Sequence, residues 1–431
     1  MMARQAFRCS ILHCLDDPGP QADNSAFEYF DDGVLLINDG YVERVGPAET
    51  LLADAGDGVE VVDHRGKLIV PGFIDCHVHY PQVEIIASYG EQLLDWLDRY
   101  AFPAEARFSD EAYAAEVAEF FVDELLKNGT TTAMVFATVH PQSVDALFDA
   151  AARRNVRLIA GKVLMDRNCP ENLRDTAESG YQDSKALLLR WHGKGRLSYA
   201  ITPRFAVTSS EDQLRSAGKL GREFPEAYVH THLAENLDEV SRVARQFPWS
   251  KSYLDVYDQF GLVRERSVFA HCLHLDARDR QALAANSAAI AFCPSSNLFL
   301  GSGLFDLDGA AGAGIAVGVG SDVGGGTSLN TFRTLHDAYK MLQFDQQFLP
   351  ALRGLYLATL GGARALSLDH CLGNFEAGKE ADFVLLDDTS TSMTRLRAAH
   401  ARDVAERFFA LMMLGDDRAV AQTYVMGEAV S

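Results

Sequence analysis

Two histidines one residue apart, His77 and His79, follow the apolar run in VPGFIDCHVHYPQ. In an extended strand alternate side chains point to the same face, so both imidazoles leave one face of the strand together. Two neighbouring imidazoles are suited to binding a metal ion and contribute little to packing. An isolated HxH pattern is weak evidence for a metal site, so other donors must accompany it.

Further donors follow other apolar runs of the chain. His232 lies in HTHLAEN with Glu235 three positions later, His271 ends VFAH, and Asp322 ends GVGSD. Three histidines and one carboxylate from separate strands form a ligand set for zinc or iron with open positions for water. Zinc would lower the pKa of a coordinated water towards neutrality and make a hydroxide available for attack. His230 shares a face with His232 and is an alternative ligand, but His232 is favoured because Glu235 follows it at a spacing that reaches the same water.

Between about Leu68 and Asp322 the sequence repeats a pattern of one strand followed by one helix. These elements must position the candidate metal ligands. Short β-branched runs alternate with amphipathic segments such as SDEAYAAEVAEFFVDELLKNG, which has apolar residues at helical spacing and stops at Asn128-Gly129. Eight such strands predict a (β/α)8 TIM-like barrel, with an open doubly wound sheet as the alternative. Functional groups gather at the carboxyl ends of barrel strands, where the donors lie.

The two ends of the chain carry short strands separated by Gly and Asp turns, as in GVLLINDGYVERVG and QTYVMGEAV. They predict a small β-sandwich domain, beside the barrel, formed from both chain ends. The predicted boundaries are 1–67 for its N-terminal part, 68–372 for the barrel and 373–431 for its C-terminal part.

The composition restricts the kinds of partner. A formal net charge of −21 argues against a nucleic-acid-binding surface and against an anionic membrane surface. The seven cysteines are scattered and never form a CxxC pair, which favours a reducing compartment. No run reaches the roughly 18 apolar residues of a membrane span, and the chain start does not resemble a signal peptide. We therefore expect a cytoplasmic protein without a nucleic-acid or membrane partner.

These motifs resemble the amidohydrolase superfamily and, more closely, its guanine deaminase family. The resemblance covers nearly the whole chain, and its clearest segments are VPGFIDCHVHYPQ, LLDWLDRYAFPAE, ITPRF, HTHLAEN, VFAHC, FCPSSN, GVGSD and GNFEAGKEADFVLL. The segment from Ser198 to Ser210 contains no lysine. The chain therefore resembles the one-metal branch of the superfamily rather than the branch with a carboxylated lysine. Lys162 is interpreted as a structural residue or as a support for the site.

The resemblance implies hydrolytic deamination of guanine to xanthine and ammonia, a role in purine catabolism, and one zinc ion per chain, with Fe²⁺ as an alternative. It also implies a homodimer. The residues it implies are the metal ligands His77, His79, His232 and Asp322; the catalytic residues Glu235 (proton shuttle), Asp322 and His271 (hydrogen bond to the attacking water or the tetrahedral intermediate); and the purine-binding residues Gln82, Arg204 and Phe205. Trp96, in the loop after the first barrel strand, is expected to form part of the apolar pocket wall, with ordinary packing as its alternative.

Two other functions remain open at this point. The first is a one-metal amidohydrolase that deaminates or dehalogenates a related heterocycle: another aminopurine, a pyrimidine or a triazine. The second is a non-catalytic scaffold on the same fold. Loss of metal ligands would be the simplest sign of a scaffold, and every ligand position is filled in this sequence.

Overall fold

The structure is a computed structural model that describes residues 4–55, 59–90 and 92–430. The strands of the N-terminal segment are β1 (Gln5–Cys14), β2 (Phe27–Asn38), β3 (Tyr41–Pro47) and β4 (Glu60–Pro71). The central strands are β5 (Phe73–His79), β6 (Thr130–Phe136), β7 (Arg157–Gly161), β8 (Val163–Leu164), β9 (Leu197–Pro203), β10 (Tyr228–Leu233), β11 (Ser267–His271), β12 (Ala289–Phe292) and β13 (Val317–Val319). The C-terminal strands are β14 (Phe383–Leu386), β15 (Val420–Val425) and β16 (Glu428–Ala429).

Helices connect the central strands and also occur in the two terminal segments of the chain. The first of them are α1 (Ala48–Ala55), α2 (Leu93–Trp96), α3 (Phe102–Ala106), α4 (Glu111–Lys127), α5 (Pro141–Arg153), α6 (Ala177–Trp191), α7 (Glu211–Glu223), α8 (Leu237–Gln246) and α9 (Tyr253–Asp258). The others are α10 (Ala277–Ala285), α11 (Pro294–Phe299), α12 (Leu307–Gly312), α13 (Thr331–Phe344), α14 (Ala351–Ala358), α15 (Leu360–Ala365), α16 (Ser392–Ala398) and α17 (Val404–Leu414).

The central strands form a nearly closed parallel barrel in the order β5-β6-β7-β9-β10-β11-β12-β13, with β8 paired to β9. Backbone hydrogen bonds join the residues after β13 to the first strand: the N–H of Asp322 donates to the carbonyl of His77, and the N–H of His79 donates to the carbonyl of Val323, both at 2.8 Å. The predicted (β/α)8 barrel is confirmed. This closure also brings Asp322 next to the HxH pair in space.

Both ends of the chain build a second, separate sheet, as predicted. Its seven strands in the described residues have the order β16-β15-β14-β4-β1-β2-β3. Because successive side chains of a strand point to opposite faces, Leu35 and Ile37 of β2 pack in one hydrophobic cluster while Val34 and Leu36 pack in another with Leu51 of α1. Each face of β2 is therefore buried by a different set of side chains.

The apolar run KLIVPGFIDCHVH is two strands and not the single strand that its pattern predicts. β4 ends at Pro71 in the terminal sheet, and β5 begins at Phe73 in the barrel. Proline has no N–H to donate and therefore suits the end of a ladder. The pattern did not reveal this break because a strand buried on both faces reads as an unbroken apolar run.

The described residues form two compact units: those within Met1–Ile74, Asp123–Thr132 and Leu329–Ser431 form the first, and those within Asp75–Val122 and Ala133–Ser328 form the second. All predicted site residues belong to the second unit. The domain boundaries after residues 67 and 372 stay a prediction from the strand pattern. Among the described residues, no helix has both the length and the apolar character required to cross a membrane.

Candidate metal centre and active site

The four predicted metal ligands converge at the carboxyl ends of the barrel strands. His77 and His79 lie at the end of β5, His232 near the end of β10, and Asp322 just after β13. One donor atom from each residue lies within 4.8 Å of the others, and all four side chains are buried. The Nε2 atom of His79 lies 3.2 Å from Nε2 of His77 and 3.2 Å from Nε2 of His232.

The hydrogen bonds of this cluster fit a bound cation. Nδ1 of His232 donates to the carbonyl oxygen of Arg204 at 2.7 Å, so Nε2 of the neutral ring carries a lone pair. A proton on Nε2 of His79 can be donated to Nε2 of His77 or to Nε2 of His232, but not to both. In the other contact two ring nitrogens would face each other without a shared proton and would repel. A cation among the nitrogens relieves that repulsion, and three imidazoles with one carboxylate are a donor set for a divalent transition metal.

The protonation states of the cluster also suit a metal. Burial lowers the pKa of His79 to about 3 and that of His232 well below its usual value. Burial acts to raise the pKa of the Asp322 carboxyl, but the nearby His77 and the hydrogen bond from His79 hold it well below its usual range. Neutral imidazoles and an ionised carboxylate are the forms that bind metals.

His230, the alternative ligand, contacts a ligand and is not part of the cluster. Its Nε2 lies 2.7 Å from Nδ1 of His77. This contact on the outer ring nitrogen orients the His77 ring, as an outer hydrogen-bond partner of a ligating histidine does. The preference for His232 over His230 therefore agrees with the geometry.

A second set of donors, His77, His271, Cys293 and Asp322, also lies within 4.8 Å. It shares two residues with the first set. Burial raises the pKa of the Cys293 thiol well above its usual value, and its Sγ donates to the carbonyl of Ala291. The three-histidine set offers lone pairs of neutral imidazoles without the loss of a thiol proton, and it is the set that the sequence predicts.

Glu235 and His271, the residues predicted to handle protons, lie close to Asp322 and to each other. Nε2 of His271 is 3.4 Å from Oε2 of Glu235 and 3.7 Å from Oδ2 of Asp322. The Ser302 hydroxyl donates to Oε1 of Glu235 at 3.2 Å. Burial, and secondly the charge of Asp322, raise the pKa of Glu235 to about 8. This buried carboxyl can therefore carry a proton near neutral pH.

A cavity adjoins the cluster. The predicted ligands and shuttle residue His79, His232, Glu235 and Asp322 line it, together with the predicted substrate-binding residues Gln82, Trp96, Arg204 and Phe205. The Nε1 donor of Trp96 is buried and has no hydrogen-bond partner among the described residues. Polar and apolar side chains line the cavity together, as is typical of small-molecule sites.

Sequence reasoning assigned no role to Glu105, although it lies in the quoted segment DWLDRYAFPAE. Its side chain is buried, and it accepts hydrogen bonds from Arg204 and Gln82. An acidic residue in the otherwise apolar stretch YAFPAEA was the available signal, because a buried carboxylate requires a partner.

Lys162 lies outside the metal cluster and is paired with Asp175, its Nζ 2.5 Å from Oδ2. Both side chains are nearly excluded from solvent. We expect Asp175→Asn to destabilise the protein by about 3–5 kcal/mol, because Lys162 would lose its buried counter-charge. Thermal or denaturant unfolding measures this, with the exposed ion-pair variant Asp276→Asn as the comparison. Equal stability of the two variants would contradict a role for the buried pair.

Comparisons with known proteins agree with this geometry. Residues 68–430 match the model of the amidohydrolase family. The chain is 52% identical over 420 residues to the guanine deaminase of Escherichia coli strain K12, covering 97% of this chain and 95% of that one. The E. coli guanine deaminase structure superposes with a TM-score of 0.97 at 51% identity, covering 99% of both chains.

A guanine deaminase from C. acetobutylicum, solved with guanine bound in its active site, superposes with a TM-score of 0.89 at 29% identity, covering 99% of this chain and 100% of that one. The resemblance found in the sequence motifs is thus confirmed by the family model and by similarity over whole chains. The chain belongs to the amidohydrolase family, within which the relatives reported above are guanine deaminases.

Proposed function

We propose that this protein hydrolyses guanine to xanthine and ammonia. The observation that carries the proposal is that three members of the donor set (His79, His232 and Asp322), Glu235 and the predicted purine-binding side chains line one cavity, with the fourth donor, His77, in the same cluster. The guanine deaminase relatives, one of them with guanine bound, support the same substrate. The filled donor set speaks against a non-catalytic scaffold.

The proposed metal ligands are His77, His79, His232 and Asp322, holding one zinc ion, with Fe²⁺ as the alternative. When bound, the ion supplies a Lewis acid that makes water nucleophilic near neutral pH. The donor set of this chain supports either metal.

The side chains of this protein would move the protons. Glu235 and Asp322 share the removal of a proton from the attacking water, and Glu235 delivers it to N3 of guanine as the new bond to C2 forms. His271, whose Nε2 faces both carboxylates, would hydrogen-bond the oxygen added at C2. As the hydroxyl group added at C2 becomes a carbonyl, its proton passes to the exocyclic nitrogen, and cleavage of the bond from C2 to that nitrogen releases ammonia and leaves xanthine.

The proposed purine-binding residues differ in what they supply. Gln82 has both a donor and an acceptor, Arg204 has donors only, and Phe205 offers an aromatic face to a planar ring. Trp96 would close the apolar wall. Each of the four lines the cavity.

We expect Arg204→Lys to lower kcat/KM for guanine by about 10-fold or more, mainly through a higher KM. Lysine keeps the positive charge beside Glu105 but lacks the planar fork of donors. Steady-state kinetics with guanine give the two parameters, and metal content measured on the same samples shows that the metal site is intact. An unchanged kcat/KM would remove Arg204 from the substrate-binding set.

Ammonia release from guanine, adenine, cytosine, 8-oxoguanine and melamine tests the proposed substrate. Guanine should give the highest kcat/KM, with xanthine as the product identified by absorbance or chromatography. A higher value for a different heterocycle would replace guanine in the proposal. Absence of turnover by zinc- or iron-loaded protein with all five compounds would favour the scaffold.

We further propose that the protein is a cytoplasmic homodimer that acts in purine catabolism without a nucleic-acid or membrane partner. The family resemblance supports the homodimer, and the net charge of −21 supports the absence of polyanionic partners. Light scattering of the purified protein would test the oligomeric state.

A further inference from the structure

Glu105 connects two residues of the cavity wall without lining the cavity itself. It lies in α3 and is only 1% exposed. Its two carboxylate oxygens accept hydrogen bonds from Nη1 of Arg204 at 2.8 and 2.7 Å, and Oε1 also accepts from Nε2 of Gln82 at 2.8 Å. One buried charge therefore holds both polar side chains that are proposed to recognise the purine.

The orientation of the Gln82 amide follows from its two neighbours. A carboxylate only accepts, so Nε2 must face Glu105. The backbone N–H of Gly324 only donates, and Oε1 of Gln82 accepts from it at 3.2 Å. Both contacts require the same orientation of the amide. Neither contact uses the second Nε2 hydrogen or the second lone pair of Oε1.

The guanidinium of Arg204 is fixed by the same helix. Glu105 engages Nη1, and the Phe102 ring centroid lies 5.3 Å from Cζ of Arg204. Phe102 and Glu105 both belong to α3, so one short helix contacts both the face and one edge of the guanidinium. The hydrogens on Nε and Nη2 are not used by Glu105. Because a guanidinium has no acceptor, it can recognise only acceptor atoms of a ligand.

We propose that Glu105 is a positioning residue that sets selectivity for a purine with an oxygen at C6. This inference rests on the proposed function. The acceptors of guanine are the ring nitrogens N3 and N7 and the exocyclic oxygen O6; N3 adjoins the reacting carbon and is assigned to Glu235. O6 and N7 remain for Arg204, and this is the pair that arginine binds in bidentate fashion on guanine in nucleic acids. A purine without oxygen at C6 offers the fixed guanidinium only N7.

The test compares guanine with 2-aminopurine, which carries the same amino group at C2 and no oxygen at C6. Glu105→Gln exchanges one acceptor oxygen for a donor NH₂, so one of the contacts to Arg204 or Gln82 becomes donor against donor. We expect kcat/KM for guanine to fall by about 10–100-fold, mainly through KM, and that for 2-aminopurine by less than about threefold. Where turnover of 2-aminopurine is slow, its inhibition constant replaces kcat/KM. Glu105→Asp keeps the charge and should restore part of the preference for guanine.

The matched control is Asp175→Asn, which removes the carboxylate charge from the buried pair with Lys162 at a residue that does not line the cavity. This variant should lower the thermal midpoint of unfolding and leave the ratio of kcat/KM for guanine to kcat/KM for 2-aminopurine unchanged. If Glu105→Gln lowers kcat/KM equally for guanine and 2-aminopurine, Glu105 has a merely structural role and the inference is overturned. If that variant does not fold, an unchanged ratio in Glu105→Asp would overturn it. Wild-type protein that releases no ammonia from guanine would overturn the proposed function itself, and this inference with it.

Discussion

Glu235→Gln is expected to keep its metal and lose about two to four orders of magnitude in kcat for guanine. The amide has nearly the same shape as the carboxyl and can still accept from the Ser302 hydroxyl. It cannot take a proton from water and pass it to N3. The donor atoms of the metal cluster belong to other residues, so metal binding should be retained.

Steady-state kinetics and elemental analysis of the same Glu235→Gln preparation measure this result. Ser302→Ala is the matched control, because it removes the hydrogen bond to Oε1 and leaves the carboxyl in place. Its kcat should fall much less than that of Glu235→Gln. Full activity of Glu235→Gln would show that a different group carries the proton.

His79→Ala is expected to abolish stoichiometric metal binding and lower kcat by about three orders of magnitude or more. The loss follows from the removal of a donor whose Nε2 lies 3.2 Å from two other ring nitrogens of the cluster. A bound metal supplies several kcal/mol of transition-state stabilisation, and each 1.36 kcal/mol is about tenfold in rate. Metal content and kcat are measured after dialysis against a chelator and again after addition of Zn²⁺ or Fe²⁺.

His230→Ala is the graded comparison for His79→Ala. His230 contacts the outer nitrogen of His77 and not the cluster, so this variant should bind metal about 10–100-fold more weakly and recover activity when metal is added. His400→Ala, which changes an exposed histidine outside the site, is the control and should leave metal binding unaffected. Complete metal loss in His230→Ala, with metal retained in His232→Ala, would reverse the assignment of these two histidines.

Several features of the site could be predicted because they depend on local periodicity. Alternation in a strand places His77 and His79 on one face, whatever the rest of the fold does. The repeat of strand and helix predicted the barrel, and the carboxyl ends of barrel strands are where donors from distant segments meet. This explains why the sequence could predict that Asp322 and His232 lie near the HxH pair, and one donor atom of each of these residues does lie within 4.8 Å of the others.

The alternation of side chains along a strand does not distinguish His230 from His232, because the two residues share a face. The tertiary structure distinguishes them through residues far away in the chain: His232 donates to the carbonyl of Arg204, while His230 meets His77, 153 positions away. Which ring nitrogen faces the metal thus depends on contacts between strands.

The sequence by itself determined the parallel barrel, the shared face of the HxH pair and the types of donor available to a metal. Only the tertiary structure decided that Glu105 holds Gln82 and Arg204, which lie 23 and 99 positions from it. The physical reason is that periodicity is set by bonded geometry and holds over a few residues. The pairing of a buried charge instead depends on which side chains the closed barrel brings within hydrogen-bond distance of it.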